Sequence, residues 1–172
     1  MRVVSDGFQI DFRGAIEAFK FDDTDPASPH FHKAPMKAVD IIAEFKNEYV
    51  FVEIKTQYFP EDAEEIDRLT SAGQLPGQPA YFKWLKEYLK YKFRDSLLYR
   101  LAEGKLDKPV RYICLLNVED GLILKIKSDL KKELPVGLAG PRWKTGLAIS
   151  CHVHNLASWR RNHPGWPVRI CR

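Results

Sequence analysis

From Leu134 to Arg172 the chain has no aspartate and no glutamate, while Arg142, Lys144, Arg160, Arg161, Arg169 and Arg172 all fall in that stretch. The segment carries +6 against a net +4 for all 172 residues, which leaves −2 for the rest. A basic end on a nearly neutral body suits a polyanionic partner such as nucleic acid; it also suits a merely solvated basic surface. Long apolar runs are missing as well. None approaches the roughly 18 residues a membrane-spanning helix needs, so no membrane partner is expected. The opening residues, MRVVSDGFQI, hold no apolar signal-peptide stretch. Cys114, Cys151 and Cys171 are too few and odd in number for a disulfide framework. Together these absences predict a cytoplasmic, reduced protein. Repeats and low-complexity segments are also absent, and 172 residues suffice for one domain with a real core.

What is present reads as alternating elements. Phe8, Phe12, Ala15, Ile16 and Phe19 recur at helical spacing and predict an N-terminal helix. Asp22 to Pro35 is a loop by composition, and Val39 to Gln57 is two strands about a turn at Lys46-Asn47-Glu48. The acidic stretch Glu61 to Asp67 suits a short surface helix, and Ser71 to Pro79 a Gly/Pro loop placed to act as a lid. A long helix is predicted from Ala80 to about Glu103, stopped by Gly104, and a buried strand over Pro109 to Val118. Leu122 to Leu134 suits an amphipathic helix, although LILKI also fits a strand. Gly146 to Val153 is a strand and Asn155 to Arg161 a short helix. The order α, β, β, α, β, α, β, α implies an α/β (α+β) fold with a mixed sheet flanked by helices.

The strand pair holds charges where a core hairpin needs none: Asp40, Glu53 and Lys55. Alternation puts Val50, Val52 and Ile54 on one face with Ile41 and Ala43, and Asp40, Glu53 and Lys55 on the other. A tight turn pairs residues whose numbers sum to about 93–95, setting Asp40 opposite Glu53 or Lys55. Carboxylates so close repel unless a positive charge joins them. Lys55 alone could supply it as a cross-strand ion pair. So could a hard divalent cation, which takes oxygen ligands and needs only one or two protein carboxylates.

Asp40, twelve residues, then Glu53-Ile54-Lys55 resembles the Asp…(Asp/Glu)-x-Lys signature of the PD-(D/E)xK nuclease superfamily. Three further acid-x-Lys matches, at Glu44, Glu103 and Asp129, lie at a turn, a helix end and a helix, and only Glu53 is mid-strand with an Asp on the partnering strand. Val39 stands where the name-giving proline would be. The resemblance implies a restriction-endonuclease-like three-layer core over about residues 8–118, with a basic extension over 134–172. It implies a metal-dependent nuclease that hydrolyses phosphodiester bonds of nucleic acid, DNA rather than RNA. Asp40 and Glu53 would hold Mg²⁺ or Mn²⁺, Glu17 on the first helix would be an accessory ligand, and Lys55 would position the nucleophile. The alternative is a catalytically inactive nucleic-acid-binding or partner-binding protein on the same scaffold. A homodimer is left open.

Lys83, Lys86, Lys90 and Arg94 form one stripe of the long helix, beside the apolar stripe Phe82, Leu85, Leu89 and Phe93. That stripe is a candidate phosphate contact or a solvated face. Arg160 and Arg161, between Trp159 and Trp166, mix cations with stacking surfaces as single-stranded nucleic-acid sites do, although such tryptophans also seal cores. His152 and His154 share a strand face and could join His163 or Cys171 in binding zinc, but the spacing matches no familiar zinc pattern.

Overall fold

Asp6 and Gly7 both have positive φ, 47° and 74°, as the two central residues of a type I′ hairpin turn require. They fold β1 (Arg2–Ser5) back on β2 (Phe8–Asp11), with Ser5 opposite Phe8 and Arg2 opposite Asp11. The predicted N-terminal helix is therefore replaced by strands. The physical reason is a period of two: Phe8, Ile10 and Phe12 are all buried, whereas Ile16, which helical spacing would have put inside, is exposed. A third strand, β3 (Glu17–Lys20), follows.

The structure, a computed structural model, describes residues 1–31, 35–55, 77–137, 140–143 and 146–171, with the backbone alone described at 77–81. The predicted acidic helix at Glu61 to Asp67, and the Gly/Pro loop up to Gln74-Leu75-Pro76, lie outside the described residues. Strand β4 (Ile41–Glu44) pairs with β5 (Tyr49–Lys55) in the register predicted by the turn: Ile41 faces Val52 and Glu44 faces Tyr49. Then come α1 (Gly77–Ala102), β6 (Val110–Leu116), α2 (Asp120–Glu133), β7 (Ala148–His154), α3 (Leu156–Asn162) and β8 (Val168–Ile170). Gly104 (φ 68°) ends α1, and the Lys105 N–H donates back to the Arg100 carbonyl in a left-handed helix stop. LILKI is helical, within α2.

Five strands form one mixed sheet in the order β3-β4-β5-β6-β7. The first three are antiparallel, while β6 and β7 run parallel to β5 after their helical crossovers. One face is covered by α1 and α2, whose Leu85, Leu89, Phe93, Ile126 and Leu130 pack on Phe51, Tyr112 and Cys114. The other face, with Ile41, Val50, Val52, Ile113 and Leu115, is covered by a second sheet, β1-β2-β8, and by Trp159 of α3. The α/β class stands, with one correction: helices flank one side, and the opposite layer is mostly β. No described helix is long and apolar enough to cross a membrane.

Candidate functional site at the ends of β4 and β5

Asp40 precedes β4 by one residue, and the register that sets Ile41 on Val52 carries it to Glu53. Three ties hold this approach to β4. The Lys37 N–H donates to Asp95, the Val39 N–H donates to the Ser96 hydroxyl, and the Phe21 N–H donates to the Asp40 carbonyl. The Asp40 carboxylate is itself buried and accepts the Ile54 N–H at 2.5 Å. Glu53 is 1% exposed. Its Oε1 accepts the Tyr88 hydroxyl at 2.9 Å, and its Oε2 has no hydrogen-bond partner among the described residues.

The positive charge between these acids comes from α1. Lys92, itself buried, brings its ammonium to 3.5 Å from Glu53, 3.9 Å from Asp40 and 3.1 Å from Asp22. Three carboxylates thus surround the Lys92 ammonium, and the charge of Lys55 also acts on Glu53. Lys55 stands beside the cluster, with its Nζ 4.7 Å from the centre of the Tyr88 ring and 5.7 Å from that of Trp84. Lys37 lies over the same Tyr88 ring at 4.8 Å.

Burial dominates the electrostatics. It pushes the Glu53 carboxyl up to about 7, against the pull of Lys92, Tyr88 and Lys55. Asp40 is raised well above the ordinary range, first by burial and then by the charge of Glu53. Burial opposes the Lys92 ammonium, but Glu53, Asp40, Tyr88 and Asp22 together outweigh it, and its pKa is raised. The Tyr88 hydroxyl, buried beside Glu53, is raised as well and stays a donor.

Glu17 is not brought to this cluster. It is exposed on β3 opposite Glu44, three residues along the strand pair from the Ile41 end, or roughly 10 Å. The strand that replaces the predicted helix is the cause. The N-terminal segment instead delivers Asp22, two residues beyond β3. Sequence reasoning missed Asp22, Tyr88 and Lys92. A signal for Lys92 was present: it falls three residues after Leu89 and seven after Leu85, inside the apolar stripe of α1, where a lysine must find acids.

The basic stripe of α1 turns toward α2. Lys86 lies 3.8 Å from Asp129 and 3.7 Å from Glu133; Lys90 bonds Glu87 and Glu133 at 2.6 and 2.8 Å; Arg94 donates to the Glu133 carbonyl. Lys83 is exposed, as are Arg160 and Arg161 on the last turn of α3. His152 and His154 share a face of β7, and the Nε2 of His163 lies 3.1 Å from that of His154. Cys151 points the other way, into the core under the helices. Among the described residues no group of three His, Cys, Asp or Glu side chains is arranged to hold a metal ion; the acids at Asp40 and Glu53 converge on Lys92 instead.

A cavity of about 510 Å³ opens at the C-terminal ends of β6 and β7, lined by Asp6, Phe8, Asn117, Asn155 and Cys171 among others. None of Asp22, Asp40, Glu53, Lys55, Tyr88 and Lys92 lines it; its nearest backbone link to them is the Asn117 N–H, which donates to the Lys55 carbonyl. No protein-family model matches the chain, and no curated protein or solved structure matches it either.

Proposed function

We propose that this chain is a divalent-metal-dependent phosphodiesterase of the PD-(D/E)xK type, acting on nucleic acid and on DNA rather than RNA. The observation that carries the proposal is the buried Oε2 of Glu53, which has no hydrogen-bond partner among the described residues and lies beside Asp40 in a cluster where three carboxylates surround Lys92. A buried acid oxygen without a partner is costly, and a hard dication fits that oxygen and the neighbouring Asp40 carboxylate. From β4 onward the chain order fits the resembled family: antiparallel strands with Asp40 at the head of one and Glu53 and Lys55 at the end of the next, then a helix and a parallel strand; the first helix that the resemblance implies is replaced by β1, β2 and β3.

Asp40 and Glu53 would hold Mg²⁺ or Mn²⁺. Such an ion polarises a phosphate oxygen and makes bound water more acidic. The remaining chemistry belongs to the chain. The Ile54 N–H fixes one oxygen of Asp40, and the Tyr88 hydroxyl fixes one of Glu53. Lys55, at the mouth of the cluster, is placed to offset the charge of an approaching phosphate and of the attacking hydroxide.

One observation favours a scaffold without catalysis: Lys92 already supplies a positive charge within 4 Å of both motif acids. Mn²⁺ titration by calorimetry separates the two. Asp40→Asn keeps an oxygen to accept the Ile54 N–H, so the fold is retained while the charge is lost. Saturable binding by the wild type that Asp40→Asn abolishes is the expected outcome. Equal weak binding by both proteins, up to millimolar Mn²⁺, removes the enzyme from consideration.

A further inference from the structure

Lys92 has no counterpart in the Asp…Glu-x-Lys motif, yet its ammonium lies within 4 Å of both motif acids. It rises from α1, on the face that packs against the sheet, between Leu89 and Phe93. Burying an ammonium there is costly and is sustained only by acids around it. Three surround it, and they are not equidistant: Asp22 is nearest at 3.1 Å, Glu53 next at 3.5 Å and Asp40 farthest at 3.9 Å. Asp22 is also the more open of the three, with 40% side-chain exposure against 9% and 1%. The ammonium is thus anchored at its outer acid and leans on the two motif acids.

We infer that Lys92 is a built-in counter-cation of the Asp40–Glu53 pair, which holds the pair together when no metal is bound and competes with a divalent ion for it. This rests on the metal-site reading above. A dication drawn to Asp40 and Glu53 repels the ammonium, and Asp22 offers it a place to withdraw to without leaving the cluster. The affinity for metal is then set below what the two carboxylates alone would give. Lys92 is a positioning residue here, acting through Asp40 and Glu53.

Titration of Lys92→Met and Lys92→Gln with Mn²⁺ alone, beside the wild type, tests this. Removing a like charge some 4 Å from a binding site tightens cation binding, so both variants are expected to bind Mn²⁺ about tenfold or more tightly than the wild type. Mn²⁺ should also raise their thermal midpoints by more than it raises that of the wild type. A purely structural lysine predicts the opposite, since its loss would loosen the acids. Unchanged or weaker Mn²⁺ affinity in a variant that melts cooperatively overturns the inference. Should neither variant fold, the wild type still decides. The ¹⁵N-ammonium signal of Lys92 is expected to move on addition of Mg²⁺ with the midpoint of metal binding, and a signal unmoved at saturation overturns the inference. Asp40→Asn keeps the two failures apart. If it binds Mn²⁺ as the wild type does, the metal site itself is wrong. If it loses binding while the Lys92 variants gain none, only the role of Lys92 falls.

Discussion

Glu53 keeps its proton up to about pH 7 in the fold and only to about 4.5 in the unfolded chain. The stability this contributes is fully present below about pH 4.5 and is lost as pH rises through 7. His152 and His154 act in the other direction. Burial first, then positive neighbours, lowers both to about 4, so their contribution is present above pH 6.5 and is lost as pH falls through 4. The denaturant midpoint should therefore fall on both sides of a maximum. Glu53→Gln should flatten the alkaline side and His154→Gln should lessen the acid side, read from urea unfolding between about pH 4 and pH 9. An alkaline side unchanged in Glu53→Gln would mean that Glu53 is ionised throughout. At this scale the sequence revealed half of the cluster. Turn length and alternation were enough to set Asp40 against Glu53 or Lys55, because a hairpin register is a local matter, and the observed register takes it to Glu53. Lys92 and Asp22 reach the same point from 39 residues downstream of Glu53 and from the far side of β4, which no local pattern encodes.

Among elements, the first hairpin escapes a reading by helical period although its own signal is strong. Asp6-Gly7 between Val3, Ser5 and Phe8, Ile10 is an alternating pair of strands about a type I′ turn, but Phe8, Phe12, Ala15 and Phe19 also satisfy a helical period. The turn chemistry decides, since only glycine takes φ of +74° without penalty. Gly7→Ala meets nothing nearer than the Cys171 carbonyl at 4.0 Å, so its cost is backbone strain alone, about 1–2 kcal/mol by chemical denaturation. The helix α1 was legible almost to its ends, because its apolar stripe is long and Gly104 marks the stop. Phe93 within it is fully buried and packs on Phe51 and Tyr112, at 6.3 and 5.1 Å between ring centres. Phe93→Ala should cost about 3–5 kcal/mol, whereas Leu101→Ala, at 63% exposure, should change stability by no more than about 0.5 kcal/mol.

For the whole molecule, the cations offered as nucleic-acid contacts divide by their bonding, and Lys83 of α1 is exposed with no role in the contacts to α2 described above. Lys86, Lys90 and Arg94 are spent on α2, while Arg160 and Arg161 remain exposed. Each cation withdrawn from a phosphate lowers the slope of log affinity against log salt by about 0.9 on duplex DNA. Arg160→Glu with Arg161→Glu should lower that slope by about 2, and Lys86→Ala with Lys90→Ala should leave it unchanged. A slope indifferent to both pairs would put the binding surface elsewhere. The layered α/β class could be read from the order of helices and strands. The second sheet could not, because its three strands are short and its last member, β8, is only Val168–Ile170.

That second sheet joins residues far apart in time as well as in sequence. Ile10 finds its hydrogen-bonded partner, Val168, only after about 160 further residues have been made. At ordinary rates of translation the hairpin waits on the order of ten seconds. During that interval Val3, Phe8, Ile10 and Phe12 have neither β8 nor Trp159 to cover them, and the sheet they cover has not been completed by β6. The earliest part of the chain is thus the last to be secured. Ribosome-arrested chains should stay cleavable by protease within Arg2 to Phe12 until β8 has emerged; protection gained earlier would mean that β3, β4 and β5 alone suffice to hold the hairpin.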